Sequence, residues 1–313
     1  MGWEFRGGQR ASFRAPPGND RSVGRRVLLA VNARARRGRD ARDRAVTCLR
    51  ERGHQVIVAD TRRAADLEDA LLSERGRFDV AAIGGGDGTL ISAIGALRRL
   101  AVPLLILPLG TFNELARTLA IPADIDAACD LLDRGTTHPI DVGCVNGFWF
   151  FNEASIGLST HVAREQTGEV KSRWGLLAIP IATLRAWRSL RPYHLVIEDE
   201  TGACMTFRTM QLTVANSYRF GGFVENPQAR IDDGTLDLYS IELRHWWDPF
   251  EILAAVARRR FPDAAGVQTV RGRRFVVRGR HRHQVYADGE PATRTPAEFS
   301  VVPQAISVYV PRG

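Results

Sequence analysis

The sequence predicts an α/β chain followed by a β-rich one: an N-terminal unit with a parallel sheet covered by helices on both faces, then a β-sandwich-like unit. Three observations predict it. From Arg26 to about Thr137, short runs that are apolar throughout alternate with amphipathic segments, the pattern of a sheet buried on both sides. The third of these runs leads into the glycine loop of "FDVAAIGGGDGTLISAIGAL" (78–97). Beyond about Pro139 the period changes to two, as strands with one buried face require.

In order, "RVLLAVNA" (26–33) reads as a buried strand, "DARDRAVTCLRERG" (40–53) as a helix ended by Gly53, and "HQVIVAD" (54–60) as the second strand. "AADLEDALLSERG" (64–76) is a second helix, "FDVAAI" (78–83) a third strand, and a helix is expected over roughly 89–99. "PLLIL" (103–107) is a fourth strand, and "NELARTL" and "DIDAACDLLDRG" are two more helices. Ligands of such sheets sit at the carboxyl ends of the strands, here "NARARRG", "ADTR", "GGGDGT" and "PLGTFN". In the second unit, "PIDVGCVNGFWFFNEASIG" carries a Val-Asn-Gly hairpin turn. "YHLVIEDETGACMTFRTMQLTVANS", "GTLDLYSIEL", "RRFVVRG", "RHQVYADGE" and "AISVYVP" alternate apolar and polar residues, with helices expected around 171–190 and 246–260. The division is drawn as a basic leader over 1–24, an α/β unit over 25–139 and a β-rich unit over 140–313.

Composition narrows the function classes. The 313 residues carry a formal charge of +8, yet Lys171 is the only lysine, so the positive charge is arginine spread along the chain. There is no helix-turn-helix, zinc-finger or RNA-recognition signature, and nucleic acid is not expected as a partner. A P-loop requires GxxxxGK[ST]; with no lysine near a glycine-rich loop, that class is excluded. The four cysteines, Cys48, Cys129, Cys144 and Cys204, form no CxxC pair, as expected for reduced thiols of a cytoplasmic protein. "WGLLAIPIATL" and "LAVPLLILPLG" are too short and proline-broken to cross a bilayer, and the leader lacks the apolar core of a signal peptide.

The loop Gly84, Gly85, Gly86, Asp87, Gly88, Thr89 poses a question of charge. Glycines permit positive φ and close approach to a ligand, and the helix that follows offers free N–H groups to phosphate. Thr89 can cap that helix or bond a phosphate oxygen. Asp87 would repel phosphate unless a divalent cation stood between them, and Mg²⁺ uses one or two carboxylates plus phosphate oxygens. The acid therefore predicts a metal–nucleotide complex. Further acids lie in "ENPQARIDDGTLDLYSI" (Asp232, Asp233, Asp237) and "YADGEP" (Asp288, Glu290), each also readable as a hairpin turn. In "PLGTFNELAR", Gly110, Thr111 and Asn113 are expected to contact the nucleotide, and they lead into a helix for which Thr111 or Asn113 reads equally as an N-cap.

"GGGDGT", "LPLGTFNELARTL", "FFNEASIGL", "ARIDDGTLDLYS" and "YADGEP" stand in the order seen in the diacylglycerol kinase catalytic-domain family, which this chain resembles over about 26–311. The resemblance implies an α/β nucleotide-binding unit and a β-rich lipid-binding unit with the active site in the cleft between them. It implies ATP and Mg²⁺, with γ-phosphate transfer to a lipid hydroxyl, most simply that of diacylglycerol to give phosphatidic acid. By position it assigns nucleotide contacts to Asn32 and Arg36 in the first loop, Thr61, the GGGDGT loop from Gly86 to Ser92, and Thr111. Arg230, Asp233 and Thr235 match a structural metal site in which the first and last give backbone carbonyls. Glu290 matches the catalytic base, with Asp288 beside it and Asp87 across the cleft.

Two departures stand out: "NARAR" where the family has NPxAG or NPxSG, and Ile91 and Ser92 where it has Asn-Glu. Arg34, Arg36 and Arg37 can grip phosphate in compensation. "WGLLAIPIATLRAW" (174–187) and "HWWDPFEILAAVARRRF" (245–261) have the composition of membrane-contacting segments, so peripheral contact with the inner membrane face is expected, although an ordinary core helix with a solvated basic end fits the composition as well. A homodimer is one assembly the sequence allows. Two rival readings stay open: an NAD- or sugar-kinase-like phosphotransferase, which would not need the β-rich half, and a nucleotide or lipid sensor without turnover.

Overall fold

The computed structural model describes residues 24–31, 38–59, 61, 66–157, 192–220, 224–245 and 247–312. The helix expected around 171–190 and the segment 174–187 lie outside them, as do Asn32, Arg34, Arg36 and Arg37.

Four strands, β1 (Arg26–Val31), β2 (Gln55–Ala59), β3 (Val80–Gly85) and β4 (Leu104–Pro108), run parallel in the order β2-β1-β3-β4. Their helices are α1 (Gly38–Glu51), α2 (Leu67–Ser73), α3 (Asp87–Leu100), α4 (Glu114–Thr118) and α5 (Ile125–Arg134). In α1 the buried residues Ala41, Ala45, Cys48 and Leu49 recur at helical spacing and cover the sheet. The helix α5 is capped by Asp124, whose carboxylate accepts the N–H groups of Asp126 and Ala127. Right-handed crossovers put α1 on one face and α2 and α3 on the other; α1 packs with α5, and α2 with α3. From β1 the chain turns outward to β2, and from β3 it turns the other way to β4. The topological switch point, where such sheets bind ligands, therefore lies between the carboxyl ends of β1 and β3. The edge strand β2 departs from the expected full burial: Val58 is exposed, and among the described residues no strand pairs with the outer edge of β2.

The β-rich part comprises β5 (Thr136–Val145), β6 (Phe148–Phe150), β7 (Glu153–Gly157), β8 (Tyr193–Asp199), β9 (Cys204–Thr209), β10 (Gln211–Ala215), β11 (Arg219–Phe220), β12 (Val224–Glu225) and β13 (Leu236–Ile241). After helix α6 (Asp248–Ala257) come β14 (Val267–Gly272), β15 (Arg274–Gly279), β16 (Gln284–Ala287), β17 (Glu290–Arg294) and β18 (Ala297–Val310). Asn146 and Gly147 both take positive φ, so the Val-Asn-Gly sequence makes the expected hairpin between β5 and β6. An antiparallel sheet, β14-β13-β10-β7-β16-β17, faces β15, β8 and β9 across a core that includes Phe150, Phe275, Phe299 and Leu238.

The last strand joins the two halves. Its first residues pair with β15, it shifts register between Val302 and Ile306, and Val308 then pairs in parallel with Leu104 of β4. Ten strands thus form one continuous sheet. The 139/140 division falls within β5, and the chain end returns to the first half, so where the folding units part is a proposal for limited proteolysis.

Asp141 on β5 locks this junction. It is 1% exposed, and its carboxylate accepts N–H bonds from Gly234 at 2.6 Å and Gln304 at 2.7 Å. Burial, reinforced by Asp233 and Asp232, pushes its pKa up against those two donors. Asp141→Ala should cost about 2–4 kcal/mol in urea unfolding, because two buried N–H groups lose their acceptor. Asp141→Asn, with one acceptor oxygen, should cost less.

Candidate active site

The glycine loop is built by the end of β3 and the start of α3. None of Gly84, Gly85 and Gly86 adopts positive φ, which corrects the conformational expectation: Gly84 and Gly85 are strand residues, and Gly86 is extended at φ −97°. Their small size serves contact instead. A Cβ on Gly84 would meet Val31 at 2.9 Å, and one on Gly85 would meet the Thr89 side chain at 2.6 Å. A Cβ on Gly110 would lie 2.4 Å from the Gly86 Cα. The glycine loop and the PLGTFN loop therefore touch backbone to backbone. Gly86, not Thr89, is the N-cap of α3 and offers no side-chain bond, so the first-turn N–H groups have no side-chain cap. Nothing lies within 4 Å of a Cβ built at Gly88, on the open side of that turn.

Asp87 bridges the two loops. Its carboxylate accepts the N–H groups of Glu114 at 3.1 Å and Leu115 at 3.2 Å, capping α4 from outside. Asn113 occupies the N-cap position in left-handed conformation, φ 48° and ψ 48°, but its side chain turns back to Gly110. There Oδ1 accepts the Gly110 N–H and Nδ2 donates to the Gly110 carbonyl, both at 2.9 Å. Thr111 and Phe112 are exposed beside it. Thr61 is buried just past β2. Ile91 packs against the first core, and the Ser92 hydroxyl donates to the Thr89 carbonyl, so the two residues that replace Asn-Glu serve α3 itself.

From the β-rich half, Asp288 and Gly289 form the β16–β17 turn, both at positive φ. The Asp288 carboxylate accepts three backbone N–H groups, from Phe151 at 2.7 Å, Asn152 at 3.0 Å and Glu153 at 2.9 Å. Its own N–H donates to the Glu153 carbonyl at 2.8 Å. Burial, with a smaller push from Asp87, raises its pKa to about 7 against those donors. Glu153, at the start of β7, is pushed to about 8 by burial and then by Glu114 and Asp288. Asp87, Glu114, Glu153 and Asp288 thus share one field. Glu114 and Glu153 were not singled out in the sequence, although "FNEL" and "FNEA" place both after a Phe-Asn pair at an element start. The buried amides of Asn152 and Asn216 leave Nδ2 and Oδ1, respectively, without a hydrogen-bond partner among the described residues. Glu290 is exposed at the first position of β17, two residues from Asp288.

The residues assigned to a structural metal lie elsewhere, in the turn before β13. Asp233 Oδ1 accepts the Thr235 N–H at 2.9 Å and its hydroxyl at 2.6 Å, and the Arg230 guanidinium is bound to Asp232. Among the described residues, no group of three or more His, Cys, Asp or Glu side chains is arranged to hold a metal.

Residues 26–145 match the diacylglycerol kinase catalytic domain family, and residues 152–310 match the YegS C-terminal NAD kinase beta sandwich-like domain family. The second match corrects one discriminator: a β-rich half does not separate this chain from NAD kinases, whereas the catalytic-domain match does. A protein of Pseudomonas aeruginosa (strain UCBPP-PA14) named "Probable lipid kinase YegS-like" is 31% identical over 301 residues, covering 92% of this chain and 95% of its own. The "Diacylglycerol kinase" of Bacillus subtilis (strain 168) is 29% identical over 261 residues, covering 82% of this chain and 84% of its own. A crystal structure from Bacillus anthracis str. Sterne shares the fold at a TM-score of 0.76 and 24% identity, covering 91% of this chain and 95% of that one. With the glycine loop, the Asp87 bridge and the Asp288 turn all in place, the chain belongs to the diacylglycerol kinase catalytic-domain family of lipid kinases.

Proposed function

We propose that this kinase transfers the γ-phosphate of Mg·ATP to a lipid hydroxyl, that of diacylglycerol, giving phosphatidic acid. One observation carries the reading: Asp87, Glu114, Glu153 and Asp288 converge beside the uncapped start of α3, at the carboxyl edge of the first sheet. The donor set suits the hard cation. Asp87 uses one acceptor direction on each oxygen for α4 and keeps others, and Mg²⁺ bound with phosphates needs only one or two carboxylates. When bound, Mg·ATP supplies the phosphoryl group and neutralises charge on it.

The chain's own residues do the rest. The N–H groups of Asp87 and Gly88, the first two of α3, bind phosphate oxygens, and the open side of Gly88 admits them. Asp288 is a positioning residue, its oxygens engaged by three N–H groups, and it fixes the 151–153 turn that carries Glu153. Glu290, exposed two residues on, takes the proton of the acceptor hydroxyl. The carbonyls of Arg230 and Thr235, with Asp233, would hold a structural cation at the turn before β13.

Glu290→Gln should lower kcat about 10²–10⁴-fold, the usual range for a lost general base, with the ATP dissociation constant unchanged. Full turnover in that variant would remove Glu290 from the mechanism. Stability should also depend on pH. Asp288 and Glu153 both titrate higher folded than unfolded, so their stabilising contribution is complete below about pH 4 and is lost as pH rises through about 7 and about 8. Between pH 6 and pH 8 the free protein should lose on the order of 2 kcal/mol, allowing for partial solvent access, and Mg·ATP should reduce that loss. Calorimetric melts with and without Mg·ATP test the sign.

A further inference from the structure

Helix α6, in the sequence "HWWDPFEILAAVARRRF", is strongly apolar yet is not buried as a core helix. Only Asp248 in it is fully buried. Its inward residues Ile252 and Val256 pack against a small cluster of Phe220, Tyr239 and Phe261. Helical spacing puts Trp247, Phe250, Ala254 and Ala257 on the opposite side, where Trp247 is 43% and Phe250 46% exposed. Both rank among the few large exposed apolar side chains of the described residues. The ring of His245 stacks on Trp247 at 4.6 Å.

The helix ends in three exposed arginines. Arg259 pairs with Glu225, whereas Arg258 and Arg260 have no ion pair or hydrogen bond through their side chains among the described residues. One acid, Glu251, is exposed on the same side. An aromatic and aliphatic stripe flanked by unpaired arginines complements a surface that is apolar inside and negative at its rim. The stripe also connects to the site: α4, which carries Glu114, touches β11, whose Phe220 stacks on Tyr239 at 5.0 Å within the cluster under α6.

We propose that the outer face of α6 is a docking surface for an anionic lipid bilayer, with Trp247 and Phe250 inserted between headgroups and Arg258 and Arg260 on lipid phosphates. It deepens the lipid-kinase reading: the acceptor is drawn from the bilayer beside the cleft.

The test is flotation of the full chain, without nucleotide, on vesicles of phosphatidylcholine alone or mixed equally with phosphatidylglycerol. The expected result is binding to the mixed vesicles that weakens with salt. Arg258→Ala and Arg260→Ala should each weaken it roughly fivefold, the value of one basic residue near an anionic surface. A Trp247→Ala/Phe250→Ala double variant should weaken it at least about tenfold. Turnover of a water-soluble short-chain diacylglycerol should be unchanged in all of these variants. Equal vesicle binding by variants and wild type, or none by wild type, overturns the proposal. So does a concentration-dependent dimer dissolved by the double variant, which would assign the stripe to a second copy. If vesicle binding responds as expected while no lipid is phosphorylated, docking stands and the kinase reading on lipid fails.

Discussion

Asp288→Ala is expected to destabilise the protein by about 3 kcal/mol and to reduce turnover at least about 100-fold, because three buried N–H groups lose a shared acceptor. The cost is less than the sum of three unsatisfied donors, since the carboxylate is itself held at a disadvantage, its pKa pushed up by burial and by Asp87. Loss of the 151–153 turn moves Glu153, and with it the acidic rim facing Glu114. The neutral isostere separates positioning from chemistry. Asp288→Asn retains an acceptor oxygen for the turn and should recover most of the stability and a measurable share of turnover. Glu290→Gln, by contrast, should keep full stability and lose turnover. Urea unfolding alongside initial rates distinguishes the two residues. If Asp288→Asn is stable and as inactive as Glu290→Gln, Asp288 acts on the substrate directly.

Gly110→Ala is the second large effect. Its Cβ would stand 2.4 Å from the Gly86 Cα and 2.7 Å from Asn113 Oδ1, so the two ligand loops must part. Overpacking of this kind costs about 1–3 kcal/mol. Displacement of the glycine loop by about 1 Å should lower turnover by up to about 100-fold. Gly86→Ala meets the same contact at 3.1 Å and should be milder. Gly88→Ala is the informative control, because nothing in the protein obstructs a Cβ there. A stable Gly88→Ala protein that binds ATP weakly would show that the open side of Gly88 is where the nucleotide approaches the backbone.

Much of this was legible in the sequence, for local reasons. Full-length apolar runs marked β1, β3 and β4, and the Val-Asn-Gly and Asp-Gly pairs marked hairpins at 146–147 and 288–289, because positive φ leaves a compositional trace. What was not legible is what depends on contacts between distant segments. No local pattern says that β18 returns to pair with β4, or that Asp141 clamps residues 234 and 304. The triple glycine pointed to a ligand loop, but the expected positive φ was absent; the glycines are needed because Val31 crowds Gly84, Thr89 crowds Gly85 and Gly110 of the next loop crowds Gly86. Asp87 was read as a metal acid from its charge alone, and its caps on α4 required knowing where Glu114 and Leu115 lie. Glu153 is marked locally only by the Phe-Asn pair before it, since its importance comes from Glu114 and Asp288, far away in sequence.

The most direct test is transfer of labelled γ-phosphate from Mg·ATP to diacylglycerol, monoacylglycerol, ceramide, sphingosine and phosphatidylglycerol in mixed micelles, with Asp87→Ala and Glu290→Gln in parallel. Labelled phosphatidic acid from the wild type, absent from both variants, is the predicted result. ATP binding with no label on any lipid, or label that persists in both variants, would contradict the account.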